Sequence, residues 1–215
     1  MHFWLPVVLV LSLVLNAYFC MRYDIFVELI QKAKSFKILQ NSDGTDYLNN
    51  PQYNARLTTF NLYSEEADII FVGDSITQNV SWDELFPDYN CLNRGIGSDT
   101  TEGLMNRVDE IMLHQPGKIF ILIGINDLST GVSPERAADN MRDIISQIYN
   151  SSADCQIYIE SVLYAEGVDN AEVDSLNSYY KIICDEYDIA KYIDIQDSMD
   201  NLGGVYRRIV PMVFI

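Results

Sequence analysis

Apolar positions fall in two rhythms along this chain. Short apolar runs occupy residues 68–72, 89–92, 118–123, 156–162 and 192–195, and predict five strands. The third run, Lys118-Ile-Phe-Ile-Leu-Ile123, has no polar alternation after its first residue, as expected of a strand buried on both faces. Between the runs the spacing lengthens to a helical period. Leu104, Val108, Ile111 and Met112 make one apolar face, opened by Asp99-Thr-Thr-Glu102 in a capping-box pattern. Ser133-Pro134 opens a second helix, with Ala137, Met141, Ile144, Ile145 and Ile148 on its face. Val173, Leu176, Tyr180 and Ile183 mark a third. Strands alternating with helices predict parallel βαβ units and hence a three-layer α/β/α sandwich.

The N-terminus has a different pattern. Residues 3–21 are almost wholly apolar and carry no charge, close to the ~20 residues that cross a bilayer as a helix. Ala17 is followed by Tyr18 and Phe19, so no small-x-small cleavage site follows. Phe19 before Cys20 also departs from a lipoprotein site. The expectation is an uncleaved membrane anchor over residues 1–21, with a cleaved signal as the second reading and a buried helix as the third. Residues 22–40 continue as a helical stem, and residues 41–54 read as a polar linker rich in turn formers. The domain begins near Pro51, which divides the chain into 1–21, 22–50 and 51–215. Arg22, Lys32, Lys34 and Lys37 follow the apolar segment and no Lys or Arg precedes it, a bias that alone would put the domain in the cytoplasm.

Charge and cysteines narrow the chemistry. A net charge of −17, from 31 acidic against 14 basic residues, argues against a nucleic-acid partner, which needs a basic face. Cys20, Cys91, Cys155 and Cys184 show no C-x-x-C spacing, so no metal site is expected and the cysteines read as small buried residues.

Three polar turns each follow a predicted strand: Gly73-Asp74-Ser75, Asn93 to Thr100, and Gly124-Ile125-Asn126-Asp127. A parallel sheet gathers such turns at its carboxyl edge, where ligands bind. Acyl transfer needs a hydroxyl nucleophile and donors for the developing oxyanion. Ser75 supplies the first. Its own N–H, a backbone N–H near Ser98 and the Asn126 side-chain amide supply the second, beside the positive end of the helix that Asp99 is predicted to cap. Each turn alone is ordinary; the three in order are far more specific. A dinucleotide site at Gly95-Ile-Gly97 is a poor alternative, because Thr100 stands where a third glycine belongs. No Gly-Lys-Ser/Thr follows Gly73, which excludes a P-loop.

The blocks Phe71-Val-Gly-Asp-Ser-Ile-Thr77, Trp82-Asp-Glu-Leu-Phe86, Asn93-Arg-Gly-Ile-Gly-Ser-Asp-Thr-Thr101 and Ile123-Gly-Ile-Asn-Asp127 resemble the SGNH hydrolases, the GDSL-type esterase/lipase family. The similarity is greatest to the bacterial branch close to platelet-activating-factor acetylhydrolase catalytic subunits, and covers residues 51 to about 205. The resemblance implies a five-stranded, parallel, flavodoxin-like sheet. It implies cleavage of a small-molecule acyl ester without metal or cofactor, with Ser75 as nucleophile and Asn126 as an oxyanion donor. Asp74, Gly97 and Gly124 belong to the same blocks as supporting residues. The family's second-block glycine falls on Ser98; its donor is a backbone N–H, so serine serves there at a cost if φ must be positive. The resemblance also favours an extracytoplasmic domain, against the charge bias.

The family's last block, Asp-x-x-His, supplies the base and the residue that orients it. The two histidines of this sequence are His2 and His114. His2 precedes the predicted anchor. His114 falls where the third strand begins, the opposite edge from Ser75, and reads as a surface or helix-end residue. Where Asp-x-x-His is expected the chain reads Gly203-Gly-Val-Tyr-Arg-Arg-Ile-Val-Pro-Met-Val-Phe-Ile215, so no catalytic His/Asp pair is found and a truncated or frame-shifted family member is expected. The rival is a non-catalytic, membrane-tethered module that binds acylated glycans or lipids without cleaving them. Oligomeric state has no signature in the sequence.

Overall fold

The computed structural model describes residues 50–62 and 65–196. The predicted anchor and stem and the final block from Gly203 lie outside the described residues. Among the described residues no helix is long and apolar enough to cross a membrane.

Five strands form one parallel sheet: β1 Ile69–Gly73, β2 Cys91–Gly95, β3 Lys118–Leu122, β4 Gln156–Glu160 and β5 Ala190–Ile193, in the order β2-β1-β3-β4-β5. This is the flavodoxin-like order, with its switch point between β1 and β3. Gly73 pairs in register with Gly95 and Leu122, so the turns after β1, β2 and β3 leave the sheet at one level. The predicted strands are present with shifted ends. The second run, read as 89–92, is strand over Cys91–Gly95, because Asn93 and Arg94 pair with Phe71 and Val72 despite their polarity. The fifth begins at Ala190 rather than Tyr192, pairing with Ile157.

One sheet face carries the main core. Ile70, Val72, Ile119, Ile121, Ile157 and Ile159 are buried together with the apolar faces of α7 (Pro134–Ser151) and α8 (Asn170–Glu186). Those faces are the ones the helical spacing defines: Ala137, Met141, Ile144, Ile145 and Ile148, then Val173, Leu176, Tyr180 and Ile183. On alternate strand positions Phe71 stacks on Trp82 at 3.7 Å and on Phe120 at 5.1 Å, and Phe120 stacks on Tyr158 at 4.6 Å.

Two helical expectations change. The predicted helix after Asp99 is two short helices, α4 (Thr101–Met105) and α5 (Val108–Met112), and Thr100 rather than Asp99 caps the first, its side chain accepting from Gly103 N–H. The Asp99 side chain is buried and turned to Arg107 instead. Part of the predicted linker is helical: α1, Pro51–Phe60, is capped by Asn50. Tyr53 and Phe60 of α1 enclose Ile96 in a small second core. The remaining short helices, α2 (Ser75–Gln78), α3 (Trp82–Leu85) and α6 (Ile125–Ser129), open in or near the polar turns. Of the cysteines, Cys155 and Cys184 are buried and Cys91 is half-buried; Cys20 lies outside the described residues.

Candidate active site

Ser75 is the first residue of α2, immediately beyond the carboxyl end of β1. Asp74 caps that turn: its carboxylate accepts from Ile76 N–H at 2.9 Å. The carboxyl is almost fully enclosed, and burial pushes its pKa up to about 7, with the nearby Asp99 charge adding to the rise against the Ile76 hydrogen bond. α2 lies hard against β2. A Cβ on Gly95 would sit 2.2 Å from Gln78 N, so only glycine admits this crossing. Asn93 secures the far end of α2, its amide donating to the Thr77, Gln78 and Val80 carbonyls at 2.9–3.0 Å.

The second turn carries Ser98. Ile96 N–H donates to Gly73 O at 2.9 Å, which ties the end of β2 to the end of β1, and Asp99 N–H donates to Ile96 O at 3.1 Å, which closes a tight turn around Gly97 and Ser98. Ser98 is exposed and sits at φ 58°. The position therefore does require the left-handed conformation in which serine carries a cost. Gly97 is fixed on both sides: its N–H donates to Gln78 Oε1 at 2.7 Å, and its carbonyl accepts from Asn50 Nδ2 at 2.8 Å.

The third turn begins at Gly124, whose φ of 128° excludes a side chain and turns the chain from β3 into α6. Asn126, half-buried in the first turn of α6, donates from Nδ2 to Asp99 O at 2.9 Å and, at a longer 3.4 Å, to Asp74 Oδ2. Ser75, Ser98 and Asn126, predicted from separate turns, thus meet around Asp74 and Asp99. The helix-terminus contribution expected beside them is withdrawn: α4 has five residues, too few to sum much of a dipole.

Three buried side chains hold this corner: Asp127 and Arg107, to which sequence reasoning gave no role, and Asp99, which it read as a helix cap. Asp127 accepts from Thr101 N–H at 2.9 Å and Thr101 Oγ1 at 2.6 Å, joining α6 to α4; burial pushes its pKa up to about 7 against those hydrogen bonds. Asp99 Oδ2 accepts from Arg107 Nε at 3.0 Å and Nη2 at 2.8 Å, and neither side chain is exposed. Burial pushes the Asp99 carboxyl up, and the Arg107 guanidinium opposes this. One signal in the sequence pointed here: Arg107 is a lone cation between Leu104, Val108 and Ile111, on an otherwise apolar helical face.

His114 is not at the surface. It is 1% exposed, with Nδ1 2.7 Å from Glu65 O and Nε2 2.7 Å from Arg94 Nη2 and 3.1 Å from Glu110 Oε1. Its carbonyl accepts from Ala67 N–H, just ahead of β1. The imidazole is thereby held at the amino edge of the sheet, away from Ser75. Among the described residues no group of three or more His, Cys, Asp or Glu is arranged to hold a metal ion.

The structure thus sets Ser75 at the carboxyl edge of a parallel sheet, with the turns that bear Ser98 and Asn126 tied beside it. The chain belongs to the GDSL-like lipase/acylhydrolase family, whose model matches residues 71–209. It is similar to the N-acylneuraminate cytidylyltransferase of Streptococcus agalactiae serotype III (27% identical over 124 residues, 57% of this chain and 29% of that protein). It is also similar to human platelet-activating factor acetylhydrolase IB subunit alpha2 (30% identical over 105 residues, 46% of this chain and 45% of that protein). The matched stretch thus spans less than half the length of these relatives. Among solved structures, a Streptococcus pneumonia protein named for platelet activating factor aligns with a TM-score of 0.59 at 21% identity, covering 81% of this chain and 82% of that one. A mutant of Axe2, an acetyl-xylooligosaccharide esterase from Geobacillus stearmophilus, aligns with a TM-score of 0.53 at 19% identity, covering 66% of this chain and 82% of that one. At these identities the likeness is one of fold.

Proposed function

We propose that this domain is a serine acyl-ester hydrolase for short-chain, acetyl-type esters, working without metal or cofactor. Ser75 is the nucleophile. Its own N–H, the Ser98 N–H and the Asn126 amide N–H that makes only the long 3.4 Å contact to Asp74 Oδ2 are the oxyanion donors. The observation that carries the reading is the hydrogen bond from Asn126 to the Asp99 carbonyl, which joins the third turn to the turn bearing Ser98, beside the Asp74 cap of Ser75. In this chemistry the Ser75 hydroxyl loses its proton as it attacks the acyl carbon, and the carbonyl oxygen becomes the anion that the three donors receive. The alcohol then leaves with a proton, and water hydrolyses the acyl-serine. The acetyl preference is supported by the names of the acetylhydrolase and acetyl-esterase relatives.

Among the described residues no imidazole stands beside Ser75 to take the first proton. The two histidines of the sequence are His2 and His114, and His114 is committed to Glu65, Arg94 and Glu110. Loss of the base from a serine triad lowers turnover by on the order of a millionfold. The 215-residue chain is therefore expected to hydrolyse p-nitrophenyl acetate barely above background, while a fluorophosphonate probe slowly labels Ser75 and fails to label Ser75→Ala. Robust hydrolysis lost in Ser75→Ala would reveal an unassigned base. Complete absence of labelling in a folded protein favours the second reading, a tethered module that binds acylated glycans or lipids. The lack of any imidazole near Ser75 among the described residues motivates that alternative. Residues 1–21 are proposed as a membrane anchor with the domain outside the cytoplasm; protection from added protease in intact cells would contradict that placement.

A further inference from the structure

Arg107 is the only cation that reaches both ends of the oxyanion corner, among the hydrogen bonds of the described residues. Through Nε and Nη2 it holds Asp99 Oδ2 at 3.0 and 2.8 Å, and Nη2 also lies 3.5 Å from Gly73 O. Gly73 is the residue before Asp74-Ser75, and its carbonyl also accepts Ile96 N–H. Asp99 closes the Ser98 turn with its N–H and receives the Asn126 amide on its carbonyl. Its remaining carboxylate oxygen, Oδ1, accepts Thr100 N–H at 3.0 Å. The guanidinium is buried, and among the described residues its Nη1 has no hydrogen-bond partner. A buried ion pair is weak evidence for stability, and the hydrogen bonds this guanidinium makes run to the turn of Ser98 and to the residue before Asp74-Ser75.

We propose that Arg107, acting through Asp99, is a positioning residue that fixes the Ser98 N–H and the Asn126 amide relative to Ser75. The proposal rests on the serine-hydrolase reading for its chemical consequence, but not for its geometric one. The grip is two-pronged, with Nε and Nη2 together on Asp99 Oδ2 while Nη2 also faces Gly73 O; lysine keeps the charge and loses one prong. Removing one oxyanion donor slows acyl transfer by roughly 10²–10³-fold, and loosening two without removing either is expected to act somewhat below that.

The test compares wild type, Arg107→Lys and Arg94→Lys. The last makes the same exchange in another buried pair, Arg94–Glu110, away from the donors. Two quantities are read on the full chain: the rate of fluorophosphonate labelling at Ser75, and the NMR shift and hydrogen exchange of the Asn126 side-chain amide and the Ser98 backbone amide. Arg107→Lys is expected to slow labelling about tenfold or more and to shift both amides, whereas Arg94→Lys leaves both amides in place at comparable loss of thermal stability. Unmoved amides in Arg107→Lys, or equal displacement in Arg94→Lys, overturn the proposal. If wild type is not labelled at all, the hydrolase reading fails, and the amide shifts still decide the positioning role. If Arg107→Lys does not fold, the neutral double replacement D99N/R107Q is read by the same amides.

Discussion

At φ 58°, Ser98 occupies a conformation that crowds a side chain against its own backbone. The turn tolerates this because the Asp99-to-Ile96 hydrogen bond, the Gln78 contact to Gly97 and the Asn50 contact to its carbonyl leave the backbone no alternative. Strain of this kind persists where the surroundings over-determine it, often at functional sites. Ser98→Gly is therefore expected to raise stability by about 1 kcal/mol, the relief of strain exceeding the added freedom of the unfolded chain. Urea unfolding monitored by circular dichroism checks this, and a loss of stability would mean the serine side chain makes a contact worth more than the strain. Residue identity was legible here and conformation was not. The sequence could place a donor near residue 98, but a φ value follows from how β1, α1 and α2 grip the turn.

At the level of elements, periodicity located the strands and the long helices because burial imposes it. Ile119, Ile121, Ile157 and Ile159 alternate to one face, and the faces of α7 and α8 repeat every three to four residues to meet them. Ends were less legible, since Asn93 and Arg94 look like loop yet complete β2. Their side chains are used as tethers, Asn93 on the α2 carbonyls and Arg94 on Glu110 and His114. The contact of α2 with β2 is the tightest of these joints. Gly95→Ala would press a methyl onto Gln78 N and Cα at 2.2 and 2.6 Å, forcing α2 and its Ser75 away from β2. An overpacked site of this kind typically loses about 1–3 kcal/mol. The expected result is a lower thermal midpoint together with slower labelling at Ser75. Unchanged values of both would mean the crossing is looser than its geometry.

Over the whole molecule, the buried carboxyls make stability depend on pH in an unusual direction. Asp74 and Asp127 are both pushed from 3.8 up to about 7, burial being the first cause in each. Between those values the unfolded chain has released protons that the folded chain still holds. Stability is accordingly full below pH ~4, falls as pH rises through the window, and reaches its floor above pH ~7, at on the order of 1.4 kcal/mol per unit of separation. Urea unfolding at about pH 5 and pH 8 should show the fall, and Asp74→Asn, neutral throughout, should make it shallower. A fall of undiminished size in that variant would assign the effect to other groups. The net charge of −17 acts in the same direction, because protonation relieves self-repulsion.

The sequence by itself determined the class of fold, the order of the strands and the two long helices, and the three turns that hold Ser75, Ser98 and Asn126, because burial periodicity and turn chemistry are local properties. It also placed His114 at the edge of the sheet opposite Ser75, since His114 precedes a strand and the turns follow strands. Tertiary structure decided what those turns do to one another. Parallel register put Gly73, Gly95 and Leu122 at one level. Enclosure then turned Asp99 from a predicted helix cap into the partner of Arg107, and His114 from a surface residue into a buried link between Arg94 and Glu65. Such assignments depend on which groups lose water together, and that is fixed only when distant segments close over them.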